Sequence, residues 1–421
     1  RATRTAFGDL VRALASHDDK IQEKALSAIA NLCVDDGGVV DVPFVARFPP
    51  PFLLLASPIS VAQNRADFRA AGITTRLVAL LSSSNEDVVK RALTTVVNTS
   101  FDGTNYSFSL LPPSKAVPNR FFEYIAADSQ RELIRAGGIF AIVPFLSSAN
   151  SDKQANAAWA LAALTMGEVS DQTPNPYPLF LHGSRPLSLM IIDEVQVALY
   201  DAGAVPGFVR LLSSGNDQAE LKSLTALVNL SGNGECVSYS TSLPISNDVI
   251  MIDSLQKRII DNGAVPPVVR HVSSSNPNNQ RMALQTLQNL AIDGNVVPSL
   301  ALAFTLLYLH DVGKSVIHAN GGVERVIGVL RQGNVDLIPH ALRVTINLTG
   351  DCKIIIHIIL HDILCAKYLV SPPPSQTFLA KVRRAFVDAG ALRLVEDLQN
   401  HRDPNVSATA KQALNNLRLP C

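Results

Sequence analysis

The chain is poor in aromatic residues and has no excess charge of either sign. Aromatic residues make up 6% of its 421 residues, and Trp159 is the single tryptophan. This composition suits thin helical layers built from Leu, Val, Ile and Ala. Lys plus Arg and Asp plus Glu both number 36, so the formal net charge is zero. We therefore expect no general nucleic-acid binding, which needs a basic face that displaces counterions.

Cysteines and long apolar segments are also scarce. The five cysteines are odd in number and irregularly spaced, which disfavours a secreted disulfide framework and favours a cytoplasmic location, extending to the nucleus. Of two apolar runs, 296–309 is too short to span a bilayer and 354–364 is interrupted by polar residues, so no integral membrane segment is expected. The sequence starts at Arg1 rather than Met, which is typical of a fragment whose targeting signal could lie upstream.

Two short phrases recur along the chain at a fixed distance. The first is centred on a glycine, as in DAGAV around Gly203, and the second ends a helical pattern with asparagine, as in LVNL at Asn229. In every block 26 residues separate the two positions, although one block has Ala163 in place of Asn. Six equal intervals indicate tandem repeats. The blocks run 72–98, 137–163, 203–229, 263–289, 321–347 and 390–416.

Each block predicts a unit of three helices. The glycine permits a sharp turn between a first and a second helix. A Ser- and Asn-rich break follows, as in SSSNED, and its side chains are suited to capping the next helix. The third helix has apolar residues spaced three and four apart. Since one unit cannot bury both of its apolar faces, neighbouring units must stack.

These units resemble armadillo repeats. With a first unit over residues 9–32, they make about seven repeats and cover roughly two thirds of the chain. The resemblance implies one all-α, right-handed armadillo-type α-α superhelix over residues 1–421. It also implies a groove, lined by the third helices, that binds other proteins. We expect a non-enzymatic scaffold or adaptor that takes extended peptide segments, without a cofactor or a small-molecule substrate.

Extra residues separate the repeats. A standard armadillo repeat of roughly 42 residues leaves about 16 between the Asn and the next Gly, whereas 32 to 43 stand there in this chain. Two interpretations stay open: loops that form a second binding surface, or translated introns, because each extra segment starts at or beside a glycine, as a codon spanning a splice donor would give. The extra segments lie near 38–62, 104–126, 168–192, 235–253, 295–311 and 351–379.

The asparagine at the end of each third helix is the first candidate for ligand binding. In armadillo proteins this position faces the groove, where the amide can bond both the N–H and the C=O of an extended peptide. The alternative is that it bonds a neighbouring turn. Four residues earlier the importin-α family repeatedly has Trp, but here Trp159 stands alone. The predicted groove residues are Asn31, Asn98, Trp159, Asn229, Asn289, Asn347 and Asn416.

A stripe of basic residues is predicted beside these asparagines. It consists of Lys24, Lys90, Arg91, Lys222, Arg281 and Arg343, with His340 among them. This stripe resembles the β-catenin type of groove, which takes extended acidic segments; the alternative is ordinary solvated charge. Two other functions stay open: a nuclear transport adaptor of importin-α type, and a targeting module of a larger armadillo-containing ubiquitin ligase.

One cluster has a spacing that suggests zinc. Cys352, His357, His361 and Cys365 follow each other closely, with the two histidines one helical turn apart. They lie wholly within an extra segment, so we predict no metal site.

Overall fold

The described part of the chain is helical and falls into two compact units. The computed structural model describes residues 2–33, 58–100, 131–165, 195–232, 256–291, 311–350 and 374–419, and every regular element within these ranges is a helix. Unit 1 is Arg1–Ala226 and unit 2 is Leu227–Cys421. We number the repeats 1 to 7 from the amino end.

Unit 1 contains repeats 1 to 3 and most of repeat 4. The helices of repeats 1 and 2 are Ala2–Ala13, Asp19–Leu32, Pro58–Ala70, Ile73–Leu80 and Glu86–Ser100. Repeat 3 has residues 131–135, Gly138–Ile142 with the 3-10 turn Val143–Ser147, and Ser151–Thr165. Repeat 4 has residues 195–201, Ala204–Leu211 and Asp217–Ser231. The third helices of repeats 1, 2 and 3 pack side by side.

Unit 2 begins within the third helix of repeat 4 and contains repeats 5 to 7. The helices of repeat 5 are residues 256–261, Val265–His271 and Pro277–Leu290. Those of repeats 6 and 7 are Asp311–Ala319, Gly322–Gln332, Ile338–Thr349, Pro374–Asp388, Ala391–Leu398 and Pro404–Leu417. The third helices of repeats 5, 6 and 7 pack side by side, as in unit 1.

The repeated glycine forms the turn between the first and second helices. All six adopt the left-handed backbone conformation, with φ between 74° and 82°. Only glycine enters this region without a steric penalty from Cβ. The turn predicted from the repeat is therefore confirmed. The six glycines are Gly72, Gly137, Gly203, Gly263, Gly321 and Gly390.

In repeats 2 to 5 the Ser- and Asn-rich break before the third helix supplies a cap. Asn85 Oδ1 accepts a hydrogen bond from the backbone N–H of Asp87 at 2.9 Å. Asn150, Asn216 and Asn276 make the same bond two residues ahead, at 2.9, 3.1 and 3.0 Å. Such a bond satisfies one of the backbone donors left free at a helix start. The predicted capping is confirmed in both units.

The apolar core of each unit lies between the second and third helices. In repeat 2, Leu77 is 1% exposed and Leu93 and Val96 are fully buried. In repeat 5, Val268 and Leu284 are fully buried in the same way. Each such side chain stabilises the fold by about 1.5–3 kcal/mol relative to full exposure.

A buried polar side chain in the first helix binds the ends of the third helices, and the sequence analysis did not predict it. It stands seven residues before the turn glycine. Arg65 donates to the carbonyls of Asn98 at 3.1 Å and Cys33 at 2.8 Å. Gln256 donates to those of Ser231 and Asn289, both at 3.1 Å. The bonds satisfy carbonyls left free where a helix ends, and each side chain joins its own repeat to the preceding one.

The same position is polar and buried in later repeats. Lys314 is 2% exposed and donates to the Gly350 carbonyl at 3.1 Å. Arg383 is 6% exposed and its Nε donates to the Thr349 carbonyl at 3.0 Å. A buried cation at the negative end of a helix is electrostatically favourable. This buried polar position, which we call the buried column, is therefore a structural feature of the repeat.

Most of the predicted extra segments lie outside the described residues. Three of the predicted extra segments overlap the start of a first helix, because these helices begin at Pro58, Asp311 and Pro374. Gly313 in the first helix of repeat 6 has no room for a Cβ, because the Leu290 carbonyl oxygen lies against it. Repeats 5 and 6 are therefore in direct contact, although residues 292–310 separate them in the sequence.

Within the described ranges, no helix is both long and apolar enough to cross a membrane.

Candidate peptide-binding surface on the third helices

The predicted groove residues share one face of the third helices, which we call the third-helix face. It consists of the terminal asparagine position and the positions four and seven or eight residues earlier, which lie one and two helical turns away. The four charged side chains Lys24, Arg91, Arg281 and Arg343 are exposed. Partly buried are Trp159, Lys222, Asn31, Asn98, Asn229, Asn289, Asn347 and Asn416. The face is thus open to a ligand in each unit.

The asparagines of unit 2 clasp each third helix to the one before it. Asn289 Nδ2 donates to the Val228 carbonyl at 3.1 Å. Asn347 Nδ2 donates to that of Gln288 at 2.9 Å, and Asn416 Nδ2 to that of Ile346 at 3.2 Å. Each acceptor directly precedes the asparagine position of the preceding repeat. The register between neighbouring helices is therefore constant through unit 2.

Unit 1 has the same clasp. Asn98 Nδ2 donates to the Ala30 carbonyl at 3.2 Å, and Ala30 directly precedes Asn31. A carboxamide has two N–H donors and one carbonyl acceptor, so one such bond leaves hydrogen-bonding capacity for a ligand. These asparagines therefore have a structural role, as the alternative interpretation expected, but they bond a neighbouring helix rather than a neighbouring turn. Their contact with a peptide backbone stays a prediction.

Two basic residues on the third-helix face of unit 1, Arg91 and Lys90, have acidic neighbours. Arg91 donates to Ser27 Oγ at 2.7 Å, and its Nε lies 3.9 Å from Glu23 Oε2. Lys90 Nζ lies 2.5 Å from Asp152 Oδ2. These pairs join repeats 1 to 2 and 2 to 3. They offset the charges of Lys90 and Arg91, whereas Lys24 and Lys222 form no ion pair with a described residue.

Trp159 and Lys222 form a pair between repeats 3 and 4. The Lys222 ammonium lies 4.3 Å from the centre of the Trp159 ring, which is a cation–π contact. Among the described residues, Lys222 forms no hydrogen bond or ion pair. Burial lowers the pKa of Lys222, because loss of water disfavours the charged ammonium. The structure thus brings together two residues that the sequence analysis named separately.

A cluster of three basic side chains marks the third-helix face of unit 2. Burial, and then the positive charges of Arg343 and Arg281, lower the pKa of His340 to about 4. His340 is therefore neutral at pH 7, and its buried Nδ1 has no hydrogen-bond partner among the described residues. The helices Pro277–Leu290 and Ile338–Thr349, which carry this cluster, contain no Asp or Glu. The cluster creates a positive potential that attracts anions.

Metal ligands are not grouped in the part of the chain that the structure describes. No set of three or more His, Cys, Asp or Glu residues there has the arrangement needed to hold a metal ion. The cluster of Cys352, His357, His361 and Cys365 lies outside the described residues.

One repeat of this chain matches a known family. Residues 254–292, which contain repeat 5, match the Armadillo/beta-catenin-like repeat model. The match concerns this one repeat of the chain. No curated protein sequence matches the chain significantly.

Engineered proteins are among the solved structures that are similar to this chain. Two from a structural genomics consortium are 22% and 20% identical, with TM-scores of 0.51 and 0.52. Each covers 82% of this chain, over 96% and 98% of its own length. A designed armadillo repeat protein, solved with the peptide (KR)4, is 16% identical with a TM-score of 0.46, over 98% of this chain and 99% of its own. The described helices confirm the predicted all-α fold, and the match of residues 254–292 supports its armadillo-type repeat.

Proposed function

We propose that this protein is a non-enzymatic scaffold or adaptor whose third-helix face binds an extended, partly acidic peptide. The observation that carries the proposal is the cluster of Arg281, His340 and Arg343 in unit 2. Its two arginines are exposed, and no carboxylate stands on the helices that carry them. Arg343 forms no ion pair with any described residue. A carboxylate or phosphate of a ligand would supply the missing negative charge.

The two kinds of groove residue would contribute differently to binding. The carbonyl of each clasp asparagine can pair with the backbone of an extended strand, which adds about 0.5–1.5 kcal/mol per bond. At Asn98, Asn347 and Asn416 a second N–H can do the same, whereas Asn289 Nδ2 also donates to Ser231 Oγ at 3.3 Å. A charge-assisted bond from arginine adds roughly 1.5–3 kcal/mol. We expect the asparagines to provide affinity for any extended chain and the arginines to provide preference for acidic residues.

This groove would be closer to the β-catenin type than to the importin-α type. Trp159 is the only tryptophan of the chain, so the repeated Trp position of an importin-α groove is absent from the other repeats. The positive cluster of unit 2 also favours a negatively charged ligand over a basic one. The proposal includes a cytoplasmic location with access to the nucleus, and no cofactor or small-molecule substrate.

The proposal is tested with three labelled peptides of alternating sequence: Glu–Ser, Gln–Ser and Lys–Ser. Fluorescence anisotropy measures their affinity for the full chain. The Glu–Ser peptide should bind most tightly, and its affinity should fall as salt rises. The double variant Arg281→Glu with Arg343→Glu should weaken it about tenfold or more, since two attractive charges become repulsive.

A matched control reverses two other exposed arginines of unit 2. Arg393 and Arg402 lie outside the third helices, and their reversal to Glu changes the net charge equally. The control should bind the Glu–Ser peptide nearly as well as the wild type. Equal loss of affinity in both double variants would show that net charge alone governs binding. Preference for the Lys–Ser peptide would contradict the proposed ligand class.

A further inference from the structure

The positive charge of Lys222, which contacts the ring of Trp159, has no negatively charged partner among the described residues. Cation–π contact orients the Lys222 ammonium 4.3 Å from the ring centre, but an uncharged ring does not neutralise a cation. An ammonium has three N–H donors, and none is bonded to a described residue. A partly buried charge with so little water around it gains from a negatively charged partner.

Two other lysines on the third helices of unit 1, Lys153 and Lys90, have the carboxylate partner that Lys222 lacks. Lys153, on the helix of Trp159, has its ammonium 2.9 Å from Glu86 Oε1. Lys90 lies 2.5 Å from Asp152 Oδ2. Glu220 is the acidic residue nearest to Lys222 along the helix, but it is 8% exposed and accepts a hydrogen bond from the Gly215 N–H at 3.0 Å. The carboxylates of Glu86, Asp152 and Glu220 are therefore engaged with other groups.

The residues around the pair leave it open. One helical turn on either side of Trp159 stand Ala155 and Ala163, and one turn from Lys222 stand Gln218 and Ala226. None of the four is charged, and the alanine side chains are too short to cover an indole ring. Trp159 and Lys222 both remain partly exposed. An incoming side chain can thus reach the ammonium and the ring together.

We infer that Trp159 and Lys222 form a binding site in unit 1 for one acidic side chain of an extended peptide. The carboxylate pairs with the Lys222 ammonium, and the methylene groups of the acidic side chain lie against the indole. This inference rests on the proposed function, and it assigns a ligand position in a unit where Lys90, Arg91 and Lys153 of the third helices have acidic neighbours. Alternate residues of a strand point to the same side, so a Glu–Ser peptide offers a carboxylate at every second position.

The single tryptophan allows a direct test. Unlabelled Glu–Ser peptide is titrated into the full chain while the emission of Trp159 is recorded, and labelled peptide gives the affinity by anisotropy. Emission should change with the same midpoint as anisotropy. Lys222→Met should lower the affinity about fivefold to tenfold and abolish the emission change, whereas Lys222→Arg should retain both.

The matched control is Lys257→Met. Lys257 lies in the first helix of repeat 5 and is paired with Asp261 at 2.6 Å, so its loss changes the net charge equally but leaves the third-helix face intact. We expect wild-type affinity and emission from this variant. Circular dichroism melting confirms that each variant is folded, and the wild-type emission titration alone tests the site if Lys222→Met does not fold.

The outcomes separate this inference from the proposed function. If the Glu–Ser peptide binds the wild type without changing Trp159 emission, and Lys222→Met binds it equally well, this site is wrong while the scaffold proposal stands. If no peptide binds by anisotropy, the proposed function itself fails. If Lys222→Met gains affinity for the Lys–Ser peptide, Trp159 takes cationic ligands and Lys222 occupies their place, which overturns the inference.

Discussion

The two units share the same repeat but differ in the charge around their basic residues. The four third helices that begin in unit 1 carry seven carboxylates, at positions 19, 23, 86, 87, 152, 217 and 220. The three third helices wholly within unit 2 carry none. Arg91 of unit 1 accordingly has Glu23 beside it, whereas Arg343 of unit 2 has another cation near His340.

This difference teaches that position in a repeat does not fix electrostatic character. Arg91 and Arg281 occupy nearly the same place relative to the terminal asparagine, yet their surroundings have opposite sign. An exposed ion pair is weak, typically about 0–1 kcal/mol, but it reduces the potential that a ligand meets. Unit 2 is thus the part of the chain best suited to attract an acidic peptide, and unit 1 offers one localised site at Lys222.

The largest expected effect concerns the buried column, where the two units should not differ. Arg65→Ala in unit 1 removes the bonds to the Asn98 and Cys33 carbonyls and leaves a void. The free energy of unfolding should fall by about 2–4 kcal/mol, measured by denaturant unfolding. Arg383→Ala in unit 2 should cost a similar amount. Arg76→Ala, an exposed site in repeat 2, should cost less than about 0.5 kcal/mol; an equal cost would refute the structural role of Arg65.

Stability should also depend on pH through His340. Its folded pKa of about 4 lies below the ordinary value of 6.5, so the unfolded chain binds more protons between these values. The stabilisation is complete above pH 6.5 and is lost as pH falls toward 4. We expect a loss on the order of 1–2 kcal/mol, allowing for solvent screening.

The variant His340→Gln isolates this effect. The melting temperature of this variant should differ less between pH 6.5 and pH 4 than that of the wild type. Arg343→Gln should raise the pKa of His340, measured by NMR titration of its ring protons, because one neighbouring positive charge is removed. An unchanged pKa in Arg343→Gln would show that the arginine does not lie near the imidazole.

The asparagine clasp offers a comparison of equals. Asn98→Ala in unit 1 and Asn416→Ala in unit 2 each remove one bond to the preceding third helix. Each should lower the free energy of unfolding by about 0.5–1.5 kcal/mol. Asn415→Ala provides the control, since this exposed neighbour makes no clasp. Loss of peptide affinity beyond that control, measured by anisotropy, would support contact of the clasp asparagines with ligand.

Adding a carboxylate to unit 2, or removing one from unit 1, tests whether carboxylate content explains the electrostatic difference between the two faces. Gln285→Glu places a negative charge one turn from Arg281 and should weaken the Glu–Ser peptide about threefold. Conversely, Glu23→Gln removes the neighbour of Arg91 and should strengthen binding up to about twofold. Both changes are measured by anisotropy at low salt. If neither variant alters affinity, carboxylate content does not explain the difference between the two faces.

The smallest effect is expected from shortening one junction. Repeats 5 and 6 touch directly where Leu290 meets Gly313, so deletion of residues 295–310 should leave their packing in place. The melting temperature should change by about 4 °C or less, which corresponds to roughly 1 kcal/mol for a unit of this size. Helical signal lost in circular dichroism would show that this segment is needed for folding.

The sequence by itself determined the repeat and its local structure. The constant spacing of glycine and asparagine predicted the order of helices, because left-handed turns and helix caps depend on residues only a few positions apart. Both were found where they were expected, at Gly203 and at Asn216, for example. Periodicity likewise located the buried positions, since apolar spacing reflects the face of a helix that packs.

Only the tertiary structure decided what each polar side chain meets. Arg91 and Ser27 are 64 residues apart in sequence, and Trp159 meets Lys222 from another repeat. The buried polar column was visible as a constant position before the glycine, but nothing local indicated that it was buried. Contacts between repeats depend on the register of neighbouring helices, which the period of a single repeat does not contain. That register made a clasp of the asparagine column, placed Glu23 beside Arg91 in unit 1 and left the face of unit 2 positive.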